Sequence, residues 1–245
     1  MQDTERTHQV LQSILETARR RADDWAKKRQ TLGVDEKSAG QFATEADRDL
    51  ERTIRAELNN AFPSDAVIGE EYGGSLSDSA TGWAIDPIDG TTNFILGLPI
   101  WGVSIGYIER GESVLGGIAF PDLGLSLSAA KGLGLVVNHK PTRITPPTPQ
   151  VKSISLGEND FEAGAVTDAR ANQFRAEGYS VVRYRCAVFS LAMSALGRLS
   201  GYIEHGCGLW DIAAAEIICR EAGMLVQTSN LAPGRYAIDA RWPDA

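Results

Sequence analysis

A short apolar run, Trp83-Ala84-Ile85, ends in Asp86-Pro87-Ile88-Asp89-Gly90-Thr91-Thr92-Asn93. The run is bounded by glycine and acidic residues and reads as a buried strand. It therefore delivers Asp86 at its C-terminal end, where α/β proteins place their sites. Pro87 fixes its own φ and restrains Asp86. Asp89 follows three residues on, so a tight turn can aim both carboxylates at one point. Gly90 allows close backbone approach to a ligand, and the amides of Gly90, Thr91 and Thr92 can form an anion-binding nest. Asp, Gly, Thr and Asn are also ordinary turn residues. Two acids, a proline and two threonines beside a buried strand weigh toward function.

Three further acidic positions stand out. Glu70-Glu71 closes a second short strand, Val67-Ile68-Gly69, although adjacent glutamates are usually solvated surface residues. Asp211 follows Trp210 and opens an apolar helix over Ile212 to Ala222, where an N-cap role would suffice. Asp47 lies three residues after Thr44, the spacing of a capping box, which accounts for it structurally. Taken together the acids suggest one site. Converging carboxylates with no Lys or Arg nearby repel one another, and a cation relieves the repulsion. All-oxygen ligation selects Mg²⁺ or Mn²⁺ over zinc. His8, His139 and His205 lack metal-ligand spacing; His139 reads as a turn residue and His205 as a strand-end residue lining a pocket.

The rest of the chain reads as layered α/β structure. Val10, Leu11, Ile14, Leu15 and Ala18 have helical spacing, and a polar loop is expected from Gly33 to Gly40. Ala46, Leu50, Ile54 and Leu58 mark a second helix ending near Phe62-Pro63. A meander of strands runs from Gly102 to Val137, with turns at 109–112, 121–124 and 131–134. Four prolines between Pro141 and Pro149 suggest a lobe boundary, dividing the chain into 1–140 and 141–245. Beyond it, Ala163–Val166, Ser180–Val182, Gly201–Glu204 and Met224–Val226 read as strands. Ala187–Leu196 and Ile212–Ala222 read as helices, and the stretch after Thr228 has no clear pattern.

With 24 basic and 32 acidic residues, the net charge is −8, so the chain does not passively attract nucleic acid or anionic membrane. A phosphorylated substrate would need a locally recruited cation. Cys186, Cys207 and Cys219 are odd in number and form no CxxC pair, which argues against a disulfide framework and structural zinc. The N-terminus lacks the apolar core of a signal peptide, and no run approaches membrane-spanning length, so a cytoplasmic location is expected.

The stretch from Asp86 to Phe94 resembles the signature of the inositol monophosphatase family. Gly69-Glu70-Glu71 precedes it at suitable spacing, and Trp210-Asp211-Ile212-Ala213-Ala214-Ala215 with Glu221-Ala222-Gly223 resembles the second signature. Thr44-Glu45-Ala46-Asp47 and Ala129 to Gly134 also fit, and the likeness runs from about residue 36 to about 226. It implies an αβαβα sandwich of the inositol monophosphatase and fructose bisphosphatase type, commonly a homodimer and commonly inhibited by lithium. It implies two or three Mg²⁺ ions, replaceable by Mn²⁺, on Glu70, Asp86, Asp89, Asp211 and the Ile88 carbonyl. Glu70 and Thr91 would position the attacking water with Asp47 behind Thr91, and the Gly90 and Thr91 amides would bind phosphate. Asp89, Ala187, Glu204 and Asp211 would meet the substrate. The implied reaction is direct attack of a metal-activated water on a small phosphomonoester, with no phosphorylated residue.

Where many members carry Gly-Ser/Thr-Ala-Ala, this chain has Arg185-Cys186-Ala187-Val188. Arg185 either contacts a second anionic group or points to solvent, and Cys186 reads as packing rather than a nucleophile. Lys37 falls near a family lysine, with spacing to Asp47 about one residue short. A haloacid-dehalogenase-type phosphatase needs its second aspartate two residues after the first, not three. No phosphate-loop motif of a nucleotide triphosphatase occurs. A nonenzymatic metal or ligand binder could lack a ligand or the threonine, and none is missing here. Inositol monophosphate is the expected substrate. Fructose 1,6-bisphosphate, histidinol phosphate and phosphoadenosine phosphate are the alternatives on this scaffold.

Overall fold

The computed structural model of the chain describes residues 2–38, 41–76 and 81–243. Five layers stack as helix, sheet, helix, sheet, helix, the αβαβα sandwich that the resemblance implies. Helix α1 (Gln2–Ala26) leads into a hairpin of β1 (Val34–Ser38) and β2 (Gln41–Thr44), where a polar loop was expected. The hairpin escapes the sequence because Val34 to Glu36 are all exposed, so no alternation marks it. The rest of the expected loop, residues 39 and 40, and the Lys37 side chain lie outside the described residues. Helix α2 (Glu45–Ala61) follows and packs beside α1.

The first sheet has seven strands in chain order: β3 (Ala66–Gly69), β4 (Gly82–Asp89), β5 (Gly102–Glu109), β6 (Glu112–Phe120), β7 (Leu125–Ala130), β8 (Gly134–Val137) and β9 (Lys140–Thr142). Strands β3 and β4 are parallel and the other neighbours antiparallel. A short helix, α3 (Thr91–Leu96), hangs from the end of β4. The two-residue period of a strand sorts its side chains: Trp83 and Ile85 join the core under α1 and α2, while Ala84 faces Ala213 on the other side.

The proline-rich segment carries the chain from β9, which takes in Pro141, to the second sheet. That sheet is built from β10 (Ser153–Leu156), β11 (Ser180–Val182), β12 (Gly201–Cys207), β13 (Leu225–Ala232) and β14 (Arg235–Arg241), in the order β11-β10-β12-β14-β13. Helix α4 (Gly164–Ala176) covers its outer face. Helices α5 (Ala187–Ala195) and α6 (Leu209–Ala222) fill the space between the sheets, with Leu191, Ile217 and Ile218 in a core shared with Ile118, Phe120 and Ile238.

Three expectations are corrected here. Ala163–Val166 is not a strand: Gly164 to Val166 open α4, whose buried residues Thr167, Ala171 and Phe174 have helical spacing that the weakly polar start conceals. Strand β10 was not anticipated because only four residues, Ser-Ile-Ser-Leu, form it. The stretch after Thr228 completes β13 and forms β14, turning at Pro233-Gly234 with Gly234 at φ +72°. Strand β13 is an edge strand with mostly exposed side chains, so neither face carries an apolar pattern.

Helix α6 lies unusually close to the first sheet. A Cβ at Gly116 would sit 2.2 Å from the Ala214 carbonyl oxygen, and one at Gly106 2.6 Å from the Ala214 nitrogen. Glycine on the strands and alanine on the helix thus bring the first turn of α6, with Asp211, down to the end of β4. Ser104 of β5 pins this approach: it pairs across from Asp86, and its hydroxyl donates to the Trp210 carbonyl at 3.2 Å.

Candidate active site

A β-bulge, not a tight turn, sets the geometry of the central motif. Asp86 pairs with Ser104 and Asp89 with Gly102, so three steps on β4 match two on β5. Positions three apart on a regular strand face opposite ways; the extra residue restores the parity and turns both carboxylates to one side. The Asp86 Oδ1 accepts the Ile88 amide at 2.9 Å and stiffens the bulge. Because β3 runs parallel to β4, its next residue, Glu70, arrives beside the same strand end, and its amide donates to the Ile85 carbonyl at 3.3 Å.

Glu70, Asp89 and Asp211 line a single cavity of about 430 Å³, together with Gly90, Thr91, Arg185, Ala187 and Glu204. Asp86 lies buried behind them. Each of several acids is held by a donor of the chain. Asp89 Oδ2 accepts the Val188 amide at 2.6 Å, near the start of α5. Asp211 is the third residue of α6, not its cap, and its Oδ2 reaches back to the Gly208 amide at 2.7 Å. Asp47 closes the capping box with Thr44: its Oδ2 accepts the Thr44 amide at 2.8 Å, and Thr44 Oγ1 accepts the Ala46 amide at 3.1 Å. The Thr91 hydroxyl reaches Asp47 Oδ1 at 3.2 Å and the Ile88 carbonyl at 3.0 Å. Gly90 has φ +86°, and a Cβ there would approach the Ile100 carbonyl oxygen to 2.9 Å, so only glycine suits the position.

The electrostatics are those of crowded anions. Burial, with repulsion from Glu70, Asp89 and Asp211, pushes the Asp86 carboxyl well above the usual carboxylate range. Burial raises Asp89 to about 7 against the opposing Val188 hydrogen bond, and burial with repulsion from Asp89 and Glu70 raises Asp211 strongly. Asp47 is pushed up to about 7, first by burial. Asp86, Asp89 and Asp211 have no ion pair with a Lys or Arg among the described residues. Among those residues no three acids, histidines or cysteines stand close enough to grip an ion as they are now turned. The donor set still suits a hard cation: it is all oxygen, anionic, mutually repelling and open to one cavity.

Glu204 projects from β12 into the same cavity. The Tyr202 hydroxyl donates to its Oε2 and the Asn159 amide to its Oε1 at 2.9 Å, while burial raises its pKa. His205, the next residue, is on the opposite face by strand parity and does not line the cavity. Its Nδ1 lies 2.8 Å from Glu162 Oε1 and 3.0 Å from Arg170 Nη2. His139 stands in the β8–β9 turn at φ +64°, and His8 is buried with its Nε2 3.0 Å from Ser128 Oγ.

Glu51 supports the site but belongs to none of the sequence motifs. It is fully buried, pairs with Arg55 at 2.8 Å, and its carboxylate accepts the amides of Glu71 at 2.7 Å and Tyr72 at 3.2 Å, fixing the turn that carries Glu70. Its one signal is an acid on the core side of α2, beside Leu50 and Ile54. Asn159 and Tyr202, which orient Glu204, have no local signature.

All three cysteines are buried and free, and burial raises each thiol above its usual value. Cys186 Sγ lies 3.4 Å from Asp89 Oδ2 as a weak donor, which suits packing and not nucleophilic attack. A disulfide reagent should therefore titrate none of the thiols within minutes in the native protein and all three in denaturant. Rapid native labelling at Cys186 would contradict this environment.

The comparisons agree with this architecture. The family model described as "Inositol monophosphatase family" matches residues 4–239. An uncharacterized protein, y4fL, from Sinorhizobium fredii is 38% identical over 84% of this chain and 74% of its own length. An inositol-1-monophosphatase from Mesorhizobium japonicum is 32% identical over 94% of this chain and 87% of its own. The crystal structure of the extragenic suppressor protein suhB from Bartonella henselae superposes with a TM-score of 0.83 at 27% identity, covering 94% of this chain and 92% of that one. A match along nearly the whole chain, on the same layered fold and with both acidic signatures at one cavity, makes this protein a phosphatase of the inositol monophosphatase family.

Proposed function

We propose that the chain is a Mg²⁺-dependent phosphomonoesterase of small polyol or sugar phosphates, with inositol monophosphate its first substrate and Mn²⁺ a working substitute. The observation that carries this reading is one cavity lined by the acids Glu70, Asp89 and Asp211, by Thr91 with Asp47 behind it, and by a braced Glu204. Glu70, Asp86, Asp89, Asp211 and the Ile88 carbonyl would hold two or three ions. Bound there, Mg²⁺ supplies charge neutralisation at the phosphate oxygens and the leaving alkoxide and lowers the pKa of a coordinated water.

The chain's own residues supply orientation and proton handling. The single Thr91 hydroxyl proton has two acceptors, Asp47 Oδ1 and the Ile88 carbonyl. With that proton donated, the Thr91 oxygen is left as an acceptor that orients the nucleophilic water alongside Glu70. Asp47, fixed by the Thr44 amide at 2.8 Å, sets the direction of that proton. Gly90 and Thr91 offer amides to the phosphate, and Asp89, Asp211, Ala187 and Glu204 meet the rest of the substrate. Residues 1–140 would supply most of the ion ligands, and 141–245 would supply Asp211 and the substrate wall. No helix among the described residues is long and apolar enough to cross a membrane. A cytoplasmic homodimer completes the reading.

Phosphate release from inositol 1-phosphate, fructose 1,6-bisphosphate, histidinol phosphate and phosphoadenosine phosphate, with Mg²⁺ and with EDTA, tests it. The expected result is release that requires Mg²⁺ and is fastest on inositol 1-phosphate. Release unaffected by EDTA, or none from any ester, sinks it.

A further inference from the structure

Arg185 stands immediately before α5 on the wall of the cavity, and three observations set it apart. Its backbone is left-handed, at φ +54°, a conformation that costs a residue with a Cβ and is the usual province of glycine. Its position is nonetheless clamped on both sides. The Asn93 amide donates to the Tyr184 carbonyl at 2.8 Å, and the Val188 amide donates to Asp89 at 2.6 Å. Its guanidinium forms no hydrogen bond or ion pair with another described residue. The other arginine on the cavity wall, Arg235, is already engaged, donating to the Gly206 carbonyl at 2.8 Å and facing Asp160 at 3.1 Å.

Local strain held in place without a structural partner points to a ligand. The cavity is otherwise rich in acids, Glu158 and Glu204 among them, so an anion there has little else to meet once the phosphate is seated near Gly90 and Thr91. We propose that Arg185 anchors a second anionic group of the substrate, so that of two esters built on one skeleton the chain prefers the one with a further phosphate or carboxylate beyond the one hydrolysed. This rests on the phosphatase reading above and adds to it a preference between esters that differ by one anionic group.

Matched pairs of esters test the anchor: fructose 1,6-bisphosphate against fructose 1-phosphate, and 3-phosphoglycerate against glycerol 3-phosphate. The first pair isolates a second phosphate and the second a carboxylate. The wild-type chain should favour the bis-anionic member of at least one pair in kcat/KM by about tenfold to a hundredfold, the factor that a charge-assisted hydrogen bond supplies. Arg185→Gly suits the left-handed backbone and should fold at least as well; it should erase the preference, and Arg185→Lys should keep part of it. A preference unchanged in Arg185→Gly, or none in the wild type, overturns the anchor. Thermal-shift titration with the same sugar phosphates in Mg²⁺ reads it without turnover. A preference there that Arg185→Gly abolishes, in a chain that hydrolyses nothing, keeps the anchor and sinks the phosphatase reading. Equal shifts by both sugars, wild type and variant alike, overturn the anchor itself.

Discussion

Asp86→Asn should abolish Mg²⁺-dependent turnover, by at least about a thousandfold, while leaving the metal-free protein as stable as wild type or more so. The two effects have one cause. Asp86 is buried behind the cavity and repelled by Glu70, Asp89 and Asp211, so its charge is a liability in the absence of a cation. Asparagine keeps the volume and the oxygen that accepts the Ile88 amide at 2.9 Å, so the bulge survives, but it removes the charge. Asp89 sharpens the expectation. Its usual pKa of 3.8 is raised to about 7 by burial, so between those values the folded chain keeps a proton that the unfolded chain has lost. Raising the pH through that window therefore lowers the stability of the metal-free wild type. Melting in EDTA should show a Tm that falls from pH 5 to 8, less steeply in Asp86→Asn. Mg²⁺ at a hundred times its dissociation constant should restore roughly 5–10 °C at pH 8 in the wild type and little in the variant. A Tm in Asp86→Asn well below wild type in EDTA, or retained Mg²⁺-dependent turnover, would contradict this account.

The acids were legible because their chemistry is written locally: a carboxylate at the end of an apolar strand needs no knowledge of the rest of the fold. What joins them was not. The bulge between Asp86 and Asp89 depends on the register against Ser104 and Gly102, which no residue of β4 announces. Asp211 could be placed on its helix but not brought to β4, because its approach depends on Gly106 and Gly116 fitting against Ala214, a contact between distant segments. His205 follows Glu204 on β12 and so faces away from the cavity, a parity that shows only once Glu204 is placed in it. Helix α4 and the outer edge strand β13 are hard to read for the same reason: both lie at the outside of the second sheet, where burial is one-sided or slight and hydrophobic pattern is weakest. Glu51 reads in sequence as half of an ordinary i,i+4 ion pair with Arg55, and only burial shows that it is more than that.

That burial makes Glu51 vulnerable to substitution. Its Oε1 accepts Arg55 Nε at 2.8 Å and the Tyr72 amide at 3.2 Å, and its Oε2 accepts the Glu71 amide at 2.7 Å. Arg55 in turn donates to the carbonyls of Val67 at 3.2 Å and Gly73 at 2.6 Å. The pair thus ties α2 to both ends of the segment that presents Glu70. Gly69 leaves room for it, since a Cβ there would stand 2.2 Å from Glu51 Oε1. Removing one partner of such a pair leaves a charge uncompensated and two amides without an acceptor. Glu51→Ala should therefore cost about 3–5 kcal/mol, a Tm loss of about 6–20 °C for a chain of this size. Glu51→Gln retains one acceptor oxygen and should cost less. The double variant Glu51→Ala/Arg55→Ala should recover part of the stability, because the stranded guanidinium is gone. It should not recover the Mg²⁺ concentration needed for half-maximal turnover, which reads the position of Glu70 and should rise about tenfold or more in both Ala variants. Chemical denaturation and Mg²⁺ titration of activity separate the two effects. A loss under about 1 kcal/mol in Glu51→Ala, within the range of an exposed ion pair, would show that the turn carrying Glu70 stands without it.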